Sequence, residues 1–222
     1  ERGGRTAVDA VGRPPCLAER RASVTRGAAG AGEARRTRGG VGWASVGRPL
    51  GSVLGATTCF TAILAAAYYA LDTWWVDTAV LMLAGLGQVL AFLWFRAAAP
   101  RAICSLVLLA AALSAAAQLY SAIWWWDILM HFVTLHALVW MAWNRALTGS
   151  PELRARARSR PGEAFALCAV VGFLIAVVWE VMELLGFLFV TPEIHIPLLD
   201  TLGDVAVGVL GAALVGFHRE PR

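Results

Sequence analysis

The chain has 222 residues, of which 59% are hydrophobic and 15% are charged, and its mean hydropathy is +0.64. Soluble domains carry about 25% charged residues, so this composition excludes an ordinary soluble domain and indicates an integral membrane protein. All 19 basic residues are arginines and the formal net charge is +4. Because these arginines flank apolar runs, they indicate membrane topology, and we do not expect nucleic-acid binding.

Residues 1–49 are rich in Arg, Gly and Ala and contain no long apolar run, a composition typical of disorder. We therefore expect a disordered cytoplasmic segment. Position 1 is not a methionine, and we expect this stretch to be a fragment or an upstream extension of the coding region. The native start would then be a valine such as Val41 or Val46.

Residues 50–217 are expected to form an all-α, polytopic transmembrane bundle of six spans, followed by a cytoplasmic tail over 218–222. Each apolar run has roughly the 20 residues needed to cross a hydrocarbon core of about 30 Å. The predicted spans cover 50–71, 76–95, 102–123, 128–144, 163–190 and 197–217. Most connections are short, which predicts antiparallel packing of neighbouring helices.

The nine arginines after residue 50 all fall on one side of this threaded bundle. They are Arg96, Arg101, Arg145, Arg154, Arg156, Arg158, Arg160, Arg219 and Arg222. The positive-inside rule then places both termini in the cytoplasm. Tryptophans at 74–75 and 124–126 mark the opposite connections, as expected for an aromatic belt at the outer interface.

Three pairs of ionisable residues stand three or four positions apart in the last three spans: Asp127 and His131, Glu180 and Glu183, and Asp200 and Asp204. Such spacings put both members of a pair on one helix face. Asp127 and Asp200 open their spans at the outer side, and Glu180 lies about 15 Å below the outer interface. We therefore predict an acidic cavity that opens outward between the fourth, fifth and sixth spans.

No arginine or lysine lies on the outer side or inside a predicted span. A charge at span centre costs roughly 2.5–3.5 kcal/mol, and glutamates one turn apart repel each other. The neutralising charge must therefore come from His131, from protons or from a bound cation. Carboxylates with one imidazole suit a divalent metal such as Mg²⁺, Mn²⁺ or Zn²⁺, whereas the four cysteines show no spacing for a thiolate site.

These considerations predict four metal ligands: Asp127, His131, Glu180 and Asp204. Glu183 or Asp200 would act as the proton acceptor in a metal-assisted reaction on a lipid or lipid-linked head group. Two other hypotheses stay open. In one, Glu180 and Glu183 carry protons or a cation during transport, although the inner half of the spans offers no matching ionisable residues.

In the other hypothesis, the polar network only orders the helices of a membrane scaffold. Asp127 and Asp200 would then cap their helices, since carboxylates are favoured at helix N-termini. His131 would simply form a hydrogen bond between helices. Glu180 is the hardest residue to explain in this way, because its predicted depth makes a purely structural carboxylate costly.

The stretch 126–212 contains the motifs WDILMHF, VVWEVMELLG and DTLGDVAVGVLGA. It resembles the YjdF-like family of bacterial inner-membrane proteins and, more distantly, the VanZ-like family. The resemblance covers the last three spans, and the first three only in hydropathy, and it singles out the same six residues. Glu183 stands where VanZ-like proteins have a glutamine and Asp204 where they commonly have an asparagine, which argues against a role in glycopeptide resistance. The YjdF-like family has no established activity, so the resemblance implies no reaction.

Overall fold

The computed structural model of this chain describes Val53, Thr57 and residues 61–71, 74–190 and 198–218. The predicted disorder of residues 1–49, the connection over residues 191–197 and the terminal arginines lie outside the described residues.

The described residues form helices and no strands, which confirms the all-α prediction. In chain order the helices are α1 (Thr61–Leu71), α2 (Trp75–Trp94), α3 (Ala98–Ala116), α4 (Leu119–Ala122), α5 (Trp126–Gly149), α6 (Pro151–Ser159), α7 (Pro161–Phe189) and α8 (Leu198–Leu214). A short 3₁₀ turn, Val215–Phe217, continues α8.

Several of these helices have the length and composition to cross a membrane. They are α2, α3, α7 and the segment Leu199–Phe217. Helix α5 has 24 residues and is therefore about 36 Å long, but Asp127, His131, His136 and Asn144 lower its hydropathy. The architecture agrees with a polytopic bundle of about six spans.

The structure departs from the predicted spans in two places. The third span, predicted as one helix over 102–123, is interrupted after α3 because Gln118 adopts a left-handed conformation with φ 55°. The arginine-rich connection before the fifth span, for which no helix was predicted, contains α6. Ser150 caps this helix by accepting a hydrogen bond from the Leu153 backbone N–H, and Pro151 supplies a favourable first residue.

Helix α8 packs between α5 and α7, and glycines make both contacts close. A Cβ atom at Gly172 of α7 would lie 2.2 Å from Ala212 Cβ, and one at Gly211 of α8 would lie 2.3 Å from the Phe132 carbonyl oxygen. Small residues let helix backbones approach in this way within a membrane. Gly203 differs, since nothing described lies within 4 Å of its ideal Cβ position.

Helices α2 and α3 form a second pair that also contacts α5. The buried Gln88 side chain donates from Nε2 to the Ser105 carbonyl oxygen at 3.0 Å. Asn144 Nδ2 donates to the Trp94 carbonyl oxygen at 2.8 Å and so ties α5 to the end of α2. Cys104 and Cys168 are buried free thiols, in line with the packing role that their apolar surroundings predicted.

Candidate metal site between α5 and α8

Three of the predicted site residues meet at the first turns of α5 and α8. His131 Nε2 lies 3.3 Å from Asp127 Oδ1 and 3.9 Å from Asp204 Oδ2. One ligand atom from each residue lies within 4.8 Å of the others. Two ligands bonded to one Zn²⁺ at about 2.1 Å lie at most about 4.2 Å apart, so a small closure brings this set around an ion.

The backbone contact between α5 and α8 positions this three-residue group. Asp204 lies one turn before Gly208, whose ideal Cβ position is 3.0 Å from Leu135 Cγ on α5. One turn further, His136 Nδ1 donates to the Gly211 carbonyl oxygen at 2.7 Å. Because both contacts hold the helices together below the group, Asp204 faces His131 across the interface. The Asp204 residue is only 7% exposed.

Asp127 belongs to this group and does not act as the N-cap of its helix. The N-cap of α5 is Trp125, which makes no side-chain cap hydrogen bond, and Asp127 stands in the first turn. Its carboxylate instead pairs with His131 one turn later. The capping hypothesis did not include this pairing with His131.

Glu180 lies near the group but outside the set of atoms that meet within 4.8 Å. Its carboxylate lies beside the Thr201 side chain and close enough to His131 and Asp127 to interact with their charges. Its second oxygen, Oε2, is buried and has no hydrogen-bond partner among the described residues. An orphaned buried carboxylate oxygen is costly, and a cation or an ordered water is the usual way to satisfy it.

The two predicted proton acceptors take different positions. Glu183 Oε1 accepts a hydrogen bond from Trp179 Nε1 at 2.8 Å, and its charge interacts with His131 and Asp204. Asp200 is exposed in the first turn of α8 and interacts electrostatically with Asp204. Glu183 is therefore held by a residue of its own helix, whereas Asp200 lies exposed at the start of α8.

Sequence reasoning missed two side chains that lie against these carboxylates. Trp179 Nε1 donates a hydrogen bond to Glu183, and Thr201 lies beside Glu180. Trp179 stands four residues before Glu183, so its helical spacing was a usable signal. Thr201 had none, because it reaches Glu180 across helices. Tyr120 lies near Asp127 and Glu183, but its hydroxyl donates to the Ala111 carbonyl oxygen.

Two surface clefts lie away from the three-residue group. One, of about 540 Å³, is apolar and lies between α2 and α7, where its lining includes Trp179, Met182 and Leu86. The other lies on α6. The predicted outward-opening acidic cavity corresponds to neither cleft and stays a prediction.

His136, five residues after His131, belongs to a separate aromatic cluster at the opposite end of α8. Its ring meets the His218 ring at 4.8 Å between centroids, and His218 lies edge-on to Trp140 at 4.9 Å. The contacts of His136 are therefore with this cluster and with the Gly211 carbonyl oxygen, away from the three-residue group.

The residues of this site fall inside a recognised family. A family model described as "Predicted membrane protein (DUF2238)" matches residues 51–218. The chain belongs to this family. The matched range includes all six predicted site residues. No curated protein and no solved structure matches the chain, and the family description carries no reaction.

Proposed function

We propose that this protein is a divalent-metal-dependent membrane enzyme that acts on the head group of a lipid or lipid-linked substrate. The observation that carries the proposal is the meeting of Asp127, His131 and Asp204, with ligand atoms within 4.8 Å of one another, at an interface between two helices. Two carboxylates and one imidazole are a donor set that suits Mg²⁺, Mn²⁺ or Zn²⁺.

The charge balance of the site supports a bound cation. The sequence has no arginine or lysine over 102–144 or 161–217, so no basic side chain from these helices neutralises the carboxylates. His131 alone faces both Asp127 and Asp204. Neighbouring carboxylates in a low-dielectric setting require protons or a cation to offset their mutual repulsion. One divalent ion offsets the charge of both carboxylates.

The proposed roles follow from these positions. Asp127, His131 and Asp204 are ligands, and the orphaned Oε2 of Glu180 is the fourth candidate donor. A bound ion supplies Lewis acidity toward a phosphoryl or carbonyl oxygen and makes bound water more acidic. Glu183, held by Trp179, or the exposed Asp200 accepts the proton.

A lipid substrate fits the surroundings of the site. Helix α7, which carries Glu180 and Glu183, presents large apolar side chains such as Phe173, Val178 and Leu188 to its surroundings. A substrate whose head group reaches the carboxylates would keep its chains in the bilayer. By the positive-inside argument, the site opens to the outer side of a bacterial plasma membrane with both termini in the cytoplasm. We also infer kinship with YjdF-like proteins and, more distantly, VanZ-like proteins.

The test is a search for metal-dependent conversion of a lipid. Purified protein is reconstituted into vesicles of phosphatidylethanolamine, phosphatidylglycerol and cardiolipin doped with undecaprenyl phosphate. Lipids are then compared by mass spectrometry with Mg²⁺, Mn²⁺ or Zn²⁺ and with EDTA. We expect a head-group change that requires metal, disappears in Asp204→Asn and persists in Asp77→Asn, which removes one carboxylate from α2.

Other outcomes distinguish the competing hypotheses. Uptake of protons or a cation into the vesicles, driven by a pH gradient without metal, would favour transport if Glu180→Gln abolishes it. Transport would then replace the enzyme proposal. If no lipid changes and Asp204→Asn only lowers the unfolding temperature, the polar group is structural. Each result is obtained from the same set of vesicles, so the three hypotheses are compared directly.

A further inference from the structure

We infer that α6 forms a binding site for the phosphate of an anionic phospholipid. The site is a surface cleft of about 620 Å³ lined by Ala155, Arg156, Ser159 and Arg160. It is separate from the carboxylate site and independent of the function proposed for it.

Short connections keep α6 at the membrane surface. A single residue, Ser150, separates it from α5, and a single residue, Arg160, separates it from α7. Leu153 and Ala157, one turn apart, pack against the core formed by α5, α7 and α8. The cleft is lined by other residues of α6 and by Arg160. Because α7 has the length and composition of a membrane span and begins at Pro161, directly after Arg160, we place the cleft at the level of the lipid head groups.

Three arginines anchor α6 to its neighbours. Arg154 Nη2 donates to the Leu147 carbonyl oxygen at 2.7 Å, near the end of α5. Arg156 Nε donates to Glu163 Oε2 at 2.6 Å, and Arg160 Nη1 donates to Glu163 Oε1 at 2.7 Å. Arg156 and Arg160 are therefore held side by side at the junction of α6 and α7.

The cleft retains positive charge after this pairing. Two guanidinium groups share one carboxylate, and both side chains are 64% exposed. A guanidinium carries five N–H donors, and Arg156 and Arg160 each use one on Glu163. Their other donors have no partner in the described part of the chain. Ser159 also lines the cleft, and its hydroxyl donates to the Arg156 carbonyl oxygen at 3.1 Å, so the guanidinium groups are the donors on which the site rests.

This arrangement matches a phosphate group. Guanidinium donors in a planar fork suit phosphate oxygens. The segment 145–163 contains five arginines and two glutamates, so its net charge is +3. Anionic phospholipids are the phosphates concentrated at the level where α6 lies, and basic residues beside a membrane attract them. We therefore commit to an anionic lipid phosphodiester as the occupant.

The experiment measures binding of phosphatidylglycerol and phosphatidylcholine to the full-length protein in detergent by native mass spectrometry. The double variant Arg156→Gln/Arg160→Gln should bind phosphatidylglycerol about 25-fold more weakly, since each arginine near a membrane surface contributes roughly fivefold. Phosphatidylcholine binding should not change. Arg96→Gln, which removes an exposed arginine from the α2–α3 connection, is the matched control and should bind as the wild type does.

Glu163→Gln gives the sharpest test because the inference predicts an effect of opposite sign. This change frees both guanidinium groups and adds one positive charge, so phosphatidylglycerol should bind about fivefold more tightly. A purely structural role for the Arg–Glu pairs predicts no gain. If a variant fails to fold, Arg156→Lys/Arg160→Lys retains the charge, and it should lose only part of the affinity.

Several results would overturn the inference. These are unchanged binding in the double glutamine variant, an equal loss in Arg96→Gln, or weaker binding in Glu163→Gln. Glycerol phosphate that competes as well as phosphatidylglycerol at equal concentration would also overturn it, because the occupant would then be a soluble anion.

Discussion

Gly211→Ala should loosen the contact that brings the two halves of the candidate metal site together. The new Cβ would lie 2.3 Å from the Phe132 carbonyl oxygen and 3.1 Å from its carbonyl carbon. These are backbone atoms, so no side-chain rotation relieves the clash. Restoring an ordinary C···O contact of about 3.4 Å requires α5 and α8 to separate by about 1 Å.

The expected cost combines two opposing effects. Overpacking of this kind destabilises by about 1–3 kcal/mol, whereas replacing glycine by alanine inside a helix stabilises by up to about 1 kcal/mol. With the full alanine gain, the net loss in the free energy of unfolding should therefore be about 0–2 kcal/mol, which is about 1–3 kcal/mol less stable than a glycine-to-alanine change in the same helix that makes no clash. The separation would also lengthen the distance from His131 Nε2 to Asp204 Oδ2, now 3.9 Å, and weaken metal binding.

The matched control is Gly203→Ala in the same helix, where nothing described lies within 4 Å of the new methyl group. It should be neutral or stabilising by up to about 1 kcal/mol. Unfolding of both variants is followed by circular dichroism during titration with sodium dodecyl sulfate, and metal affinity is measured on the same samples. Equal stability of the two variants would refute the reasoning, because the close backbone contact would then have no energetic consequence.

Two further predictions concern other parts of the bundle. Gln88→Met should change the free energy of unfolding by less than about 1 kcal/mol, because the lost hydrogen bond to Ser105 is offset by removal of the unpartnered buried Oε1. A loss above about 2 kcal/mol in the same detergent titration would contradict this. Burial, and secondarily the nearby His136, lowers the pKa of His218, so the folded state binds this proton less tightly than the unfolded state. The contribution of His218 to stability is complete above its ordinary pKa of about 6.5 and decreases as the pH falls from there toward the folded value. The free energy of unfolding of His218→Asn should therefore depend less on pH between 7.5 and 5.5 than that of the wild type. An unchanged pH dependence would contradict this prediction.

The sequence predicted α2 and α7 closely because their boundaries follow from hydropathy. The predicted spans 76–95 and 163–190 correspond to helices Trp75–Trp94 and Pro161–Phe189. The same signal missed the break at Gln118, since the residues around it continue the apolar run. It also missed α6, because an arginine-rich composition resembles a connecting loop unless the Ser150 cap is recognised.

The candidate site was predictable within each helix and less so between helices. Spacing alone showed that Asp127 and His131 share a face, and the structure confirms the pair at 3.3 Å. That Asp204 joins them depends on the close contact at Gly211, which residue spacing within a single helix does not reveal. The spacing of residues along α7 does not show how this helix is rotated about its axis. That rotation directs Glu180 toward Thr201.

The measurement that tests the central claim most directly is the binding of Mn²⁺ and Zn²⁺ to detergent-purified protein, by elemental analysis and by titration monitored with electron paramagnetic resonance. Wild-type protein and Asp77→Asn should each bind one ion per chain. Asp204→Asn and His131→Ala should bind at least about 100-fold more weakly, because each removes a ligand and not merely an outer partner. Wild-type protein without a stoichiometric ion, or Asp204→Asn with undiminished affinity, would contradict the account.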